Sequence, residues 1–125
     1  MSCPLPTVYI VDDDYSVRSA LTRLVRSAGM EAREFGSAAD ILSAQLLCEN
    51  ACIILDVRMR DMNGLQLQKA LKGKGVRLPI IFVTAYDTDE TRGEAKRAGA
   101  AGYFRKPVDD QALLDAVQWA VSRAG

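Results

Sequence analysis

The chain contains no histidine, one tryptophan and no apolar run long enough for a membrane span. Without histidine there is no imidazole for acid–base catalysis or metal ligation, and the chain cannot itself carry a phosphohistidine. The N-terminus lacks the basic and apolar regions of a signal peptide. Neither sign of charge is in excess: 16 basic residues balance 16 acidic ones, so nothing global points to nucleic acid or a membrane surface. Cysteine is scarce. Cys3, Cys48 and Cys52 are odd in number and lack zinc-like spacing, which argues for a reducing cytosol and a cytoplasmic protein. Internal repeats and linker-like stretches are missing too. What remains is 125 residues, 49% hydrophobic and 26% charged, the profile of one ordinary domain able to bury a core.

Within that composition, four short hydrophobic stretches each stop at a polar residue. They are VYIV before Asp12-Asp13, CIIL before Asp56, IIFV before Thr84 and GYFR before Lys106-Pro107. Apolar runs this short, bounded by turn residues, read as buried strands of a parallel sheet. Strands are expected over 7–11, 31–35, 52–55, 80–83 and 102–104, the second being a weakly alternating edge. Helices are expected near 16–28, 38–47, 65–72 and 88–98, with a last one running to about 123. Gly29 suits a left-handed helix end, Ser37 a helix cap, and Asp87 with Glu90 a capping box. Asp109 or Asp110 is expected to cap the last helix. Residues 1–6 read as a disordered lead and 7–125 as the domain. Five alternations of strand and helix imply an α/β fold, a doubly wound five-stranded parallel sheet best matched by the order 2-1-3-4-5.

In such sheets ligands bind at the carboxyl ends of the strands. If the strands are neighbours, three carboxylates, a hydroxyl and an ammonium meet there. Asp12 and Asp13 suit Mg²⁺, a hard ion that takes oxygen ligands and keeps several waters. Adjacent acids at a helix start also serve as caps, which is the expected use of Asp14. Asp56 has no hydrophobic reason to end its strand. A lone aspartate there is most simply a turn residue, but beside Asp12-Asp13 and a bound cation it can attack phosphorus and form an aspartyl phosphate. Thr84 is an ordinary β-branched strand residue whose hydroxyl can also donate to a phosphoryl oxygen. Lys106 is an ordinary surface cation that can also reach phosphoryl charge.

The segments IVDDD at 10–14, LDVRMRDMNG at 55–64, FVTAYD at 82–87 and GAAGYFRKP at 99–107 resemble a receiver domain of a two-component response regulator. The resemblance runs from about Thr7 to the end, and is strongest to receivers that precede a LuxR-type helix-turn-helix output domain. It implies the flavodoxin-like order 2-1-3-4-5, so that order is inherited from the family as well as argued from alternation. It implies that Asp56 accepts a phosphoryl group from a phosphohistidine on a sensor histidine kinase. Asp13, Asp56 and the backbone carbonyl of Arg58 would bind Mg²⁺ directly, Asp12 through water, and Thr84 and Lys106 would contact the phosphoryl group. Tyr103 matches the family's switch aromatic, although the residue also fits as an ordinary strand aromatic. The Lys106–Pro107 bond is expected to be cis. Such a domain turns over no metabolite. It catalyses its own phosphorylation and slow dephosphorylation, and its active surface is built by the fourth helix, fifth strand and fifth helix. Homodimerisation through that surface is the usual consequence, and DNA contact belongs to a separate output domain.

Two departures carry expectations. Arg60 stands where the family usually has proline, which is expected to loosen the loop after Asp56. Arg58 and Tyr86, each two residues past a site residue, are large enough to shield an acyl phosphate, so slow self-dephosphorylation is expected. Two other readings compete. In a phosphatase of the haloacid dehalogenase type, Asp12-Asp13-Asp14-Tyr15-Ser16 would be the Asp-x-Asp-x-Ser motif and Asp56 would have no task. A receiver-like binding module that is never phosphorylated would leave the whole acidic set without a task.

Overall fold

Alternation along each strand decides which face of the sheet a side chain enters. The computed structural model describes residues 1–124; Gly125, the last residue of the expected domain, lies outside them. In chain order the elements are β1 (Thr7–Val11), α1 (Tyr15–Ser27), β2 (Glu31–Phe35), α2 (Ala38–Leu42) and β3 (Ala51–Leu55). They continue with α3 (Gly64–Gly73), β4 (Ile80–Thr84), α4 (Asp89–Arg97), β5 (Gly102–Arg105) and α5 (Asp110–Ala124). The strands form one parallel sheet in the order β2-β1-β3-β4-β5, as expected. Tyr9, Val11, Ile53, Leu55 and Phe82 pack on one face with Ile41, Leu67, Leu71 and Ala95 of α2, α3 and α4. Val8, Ile10, Ile54, Ile81 and Val83 pack on the other with Leu21, Val25, Leu113 and Val117 of α1 and α5. Both faces are covered, which is why β1, β3 and β4 are buried throughout and almost wholly apolar.

Local chemistry sets most helix ends. Asp14 caps α1 by accepting from Ser16 N and Val17 N, and Gly29 follows that helix at φ +83°. Asp109 Oδ2 accepts from Ala112 N at the start of α5. The cap of α4 is Thr88, not Asp87, whose carboxylate instead pairs with Arg92 at 2.5 Å. α3 carries a capping box between Asn63 and Gln66 that the sequence reading did not pick out. Trp119 is 54% exposed, off the buried stripe of α5 formed by Leu113, Val117, Ala120 and Val121.

Three expectations need correction. α2 ends at Leu42 and does not continue to 47. There the Ser43 hydroxyl donates to the Ala39 and Asp40 carbonyls, competing with the helix, and Lys74 Nζ donates to the Leu42 carbonyl. Residues 1–6 form no helix or strand but are fastened to the body. Cys3 N donates to Asn50 Oδ1, Asn50 Nδ2 donates back to the Cys3 carbonyl, and Cys3 is joined to Cys48 in a disulfide. The odd cysteine count gave no sign of this pair. A pair 45 residues apart in sequence, with Cα atoms 5.4 Å apart, leaves no mark in spacing, and only Cys52 is free. It is fully buried, and burial pushes its thiol up to about 12.

Candidate functional site

Register brings the polar strand ends to one level. Val11 pairs with Leu55 across β1 and β3, so Asp12 and Asp56 are the next residues on adjacent strands. Thr84 pairs with Arg105, and Lys106 N donates to the Thr84 carbonyl at 2.9 Å. The Lys106–Pro107 peptide is cis, as the resemblance implied. Lys106 Nζ then lies between two carboxylates, 3.0 Å from Asp12 Oδ2 and 3.1 Å from Asp56 Oδ2. Asp12 is 2% exposed and Asp56 9%, so both carboxylates are buried. Burying such charges is costly unless they are paired, and here each is paired.

The electrostatics follow from that placement. Burial raises the Asp12 carboxyl above its ordinary value, against the opposing pull of the Asp14 N–H and the Lys106 ammonium. Burial alone would lower the Lys106 ammonium, but hydrogen bonds and charge from Asp12 and Asp56 outweigh it and hold it above the ordinary lysine value. Each acid has an ordered oxygen. Asp12 Oδ1 accepts from Asp14 N at 2.9 Å, Asp56 Oδ1 from Arg58 N at 3.2 Å, and Asp13 Oδ2 from Arg60 N at 3.0 Å. Thr84 is fully buried. Its Oγ1 accepts from Tyr86 N at 3.0 Å, and among the described residues its hydroxyl proton has no acceptor.

Asp12, Asp13, Asp56 and the Arg58 carbonyl are all hard oxygen donors, the set that suits Mg²⁺. Among the described residues no hydrogen bond uses Asp13 Oδ1 or the Arg58 carbonyl oxygen, which leaves both free to coordinate. No three acidic or sulfur side chains form a ready cage among those residues, and Lys106 holds the space between Asp12 and Asp56. A cage is not required, because Mg²⁺ commonly takes one or two carboxylates and fills its shell with water. The residues fit the ion.

Around this centre the structure joins residues that the sequence could only name one by one. The Arg58 guanidinium lies 3.8 Å from the centroid of the Tyr86 ring. Tyr103 OH donates to the Tyr86 carbonyl at 3.3 Å, and Arg92 stands over the Tyr103 ring at 5.5 Å. Asp14 is spent on capping α1 and does not join the acidic pair. The loop after Asp56 is not loose, despite Arg60. Its residue 60 N–H is tied to Asp13, and Asp61 accepts from Ala38 N and Ala39 N of α2.

Two further residues had no role in the sequence reading. Arg18 Nη1 donates to the Asp12 carbonyl at 2.8 Å, a contact no spacing rule announces. Gly64 is buried against the end of β3: a Cβ there would collide with the Asp56 carbonyl oxygen, and Gly64 N donates to the Val57 carbonyl at 2.7 Å. The Asn-Gly dipeptide marks a turn, but not that close approach.

Comparison with known proteins meets this geometry. The family model described as the response regulator receiver domain matches residues 8–118. Transcriptional regulatory protein TdiR of Thauera aromatica is 46% identical over 116 residues, 93% of this chain and 51% of that protein. Transcriptional regulatory protein FixJ of Azorhizobium caulinodans is 36% identical over 94% of this chain and 56% of its own length. The chain thus spans about half the length of the curated relatives it matches. Among solved structures, the response regulator StyR superposes with a TM-score of 0.88 at 39% identity, covering 96% of this chain and 61% of that one. FixJ-N gives 0.85 at 30% identity, covering 94% of each chain.

Proposed function

Because the chain belongs to the response regulator receiver domain family, we propose that it is a phosphorylation switch whose acceptor is Asp56. The observation that carries this reading is Lys106 Nζ held between Asp12 and Asp56 at 3.0 and 3.1 Å, with Thr84 on the neighbouring strand end. A carboxylate oxygen of Asp56 attacks phosphorus of a phosphohistidine on a sensor histidine kinase. The O–P bond forms as the P–N bond breaks, and the kinase imidazole leaves with the electron pair and takes up a proton. Lys106, already facing Asp56, meets the phosphoryl oxygens as a point cation. The free Thr84 hydroxyl proton donates to another.

Asp13, Asp56 and the Arg58 carbonyl would hold Mg²⁺, with Asp12 acting through water. When bound, the ion supplies charge neutralisation for the acids and the incoming phosphoryl group. Arg58 stacked on Tyr86 joins two large side chains two residues past Asp56 and Thr84, which supports a long-lived adduct. Tyr103, bonded to the Tyr86 carbonyl, is the residue whose movement would report the Thr84 hydroxyl to α4, β5 and α5. Output is then a population shift of that face, with homodimerisation as its consequence. DNA contact belongs to an output domain outside this chain. A cytoplasmic location goes with a kinase partner of this kind. The phosphatase reading needs Asp14 in the site, and its carboxylate is engaged at the α1 cap.

The test is intact mass after incubation with acetyl phosphate and Mg²⁺. One phosphoryl adduct is expected on the wild type, and none on Asp56→Asn or without the metal. Followed after donor removal, the adduct should decay faster when Arg58 and Tyr86 are both replaced by small polar residues. An adduct that survives Asp56→Asn would overturn the acceptor assignment.

A further inference from the structure

Arg60 stands at the position where the resemblance leads one to expect proline, and the difference is chemical as well as steric. Proline has no backbone N–H. Arg60 has one, and it donates to Asp13 Oδ2 at 3.0 Å across 47 residues of sequence. We propose that this backbone N–H is a positioning donor which presets the Asp13 carboxylate for a divalent cation, a device that the proline version of the site lacks. The proposal rests on the Mg²⁺-dependent acceptor reading given above.

The argument begins with what holds Asp13. It lies on the irregular segment between β1 and α1, and its side chain is 26% exposed where that of Asp12 is 3%, so it keeps more freedom than Asp12. A carboxylate in that position samples several rotamers, and ordering it when a cation arrives costs free energy. The Arg60 N–H orders it beforehand by taking one oxygen. The other, Asp13 Oδ1, makes no hydrogen bond among the described residues and is left for coordination.

The donor must itself be fixed, and it is. One residue on, Asp61 accepts from Ala38 N at 3.3 Å and Ala39 N at 3.0 Å. Further on, the Asn63–Gln66 capping box and the Gly64 N to Val57 carbonyl bond at 2.7 Å close the loop onto α3. The segment between Asp56 and α3 is therefore anchored at residues 60, 61 and 64. The Arg60 side chain adds little. Its Nε is 3.9 Å from Asp13 Oδ2 with the side chain 93% exposed, where solvent and salt screen an ion pair. Its positive charge should, if anything, weaken cation binding slightly.

Backbone and side chain can be separated by experiment. Arg60→Ala keeps the N–H and removes the charge, whereas Arg60→Pro removes both. Mg²⁺ alone is titrated into each protein and its affinity read from amide chemical shifts of Val57 and Thr84. The same spectra show whether each variant is folded. Arg60→Ala should match the wild type within about twofold, on the tighter side. Arg60→Pro should bind about two- to tenfold more weakly, the range for ordering one side chain. Hydrogen exchange gives a second reading that needs no proline: the Arg60 amide should exchange slowly in the wild type and severalfold faster in Asp13→Ala.

A folded Arg60→Pro that binds Mg²⁺ as tightly as the wild type overturns the proposal and leaves the acceptor reading intact. So does an Arg60→Ala that loses as much affinity as Arg60→Pro, or an Arg60 amide indifferent to Asp13. Absence of any Mg²⁺-dependent shift in the wild type removes the proposal together with the metal part of the acceptor reading.

Discussion

The two ends of the same five strands are built on different terms. At the carboxyl end, Asp12 and Asp56 bury charges that both pair with Lys106, and Thr84 buries a hydroxyl beside them. At the amino end, β1 and β3 start at Thr7 and Ala51, and the chain before them is fastened by the Cys3–Cys48 disulfide and the Asn50 hydrogen bonds. One end spends stability on placing the proposed acceptor and its cation, since a buried ion pair is a poor stabiliser against an apolar equivalent. The other carries cross-links that stabilise without any reactive role in the proposed chemistry. The lesson is that a single sheet can keep chemistry and fastening about one strand length apart.

The largest break in this comparison should come from Gly64→Ala. The added methyl meets backbone at Asp56, which cannot swing aside as a flexible side-chain end can. Urea denaturation should show a loss of about 3 kcal/mol, the upper range for overpacking, and the surviving folded protein should accept phosphoryl more slowly. Unchanged stability would mean that β3 yields easily at Asp56, and that the close approach of Gly64 is not what holds this end together.

Replacing Cys3 and Cys48 together by serine tests the other end. The loop they close spans 45 residues, and opening it should cost about 2–3 kcal/mol by the same assay run without reductant. The rate of adduct formation at Asp56 should not change. A slower rate would show that the two ends are coupled and would remove the distinction between them.

The smallest effect belongs to Asp61→Asn. Hydrogen bonds from the Ala39 and Ala38 amides hold the Asp61 carboxyl below its ordinary value of 3.8. A depressed value means the folded state prefers the ionised form. The contribution is therefore present above 3.8 and is lost as pH falls through the lower folded value. At neutral pH the substitution should cost roughly 0.5 kcal/mol, the scale for a carboxylate at a helix start. Stability of the variant should fall less steeply on acidification than that of the wild type, which thermal unfolding at several pH values can read.

Much of the fold was legible because strand identity here is a local property. VYIV, CIIL and IIFV are too short for helices and too apolar for anything but a doubly covered sheet, and each is buried as written. The caps Asp14 and Ser37 were legible for the same reason, since a cap bonds N–H groups two or three residues away. The early end of α2 was not, because the apolar residues that suggested a longer helix, Leu46 among them, pack on the core from irregular chain.

By itself, the sequence determined the elements, the parallel α/β class and the set of strand-end residues, since these depend on apolar period and turn chemistry a few residues apart. Only the tertiary structure decided what those residues touch. It brought Lys106 onto both Asp12 and Asp56, the Arg60 N–H onto Asp13, the Arg58 guanidinium onto Tyr86, and Cys3 onto Cys48. Each of those contacts joins residues far apart in the chain. Strand order and register create them, and neither is written in any local window of sequence.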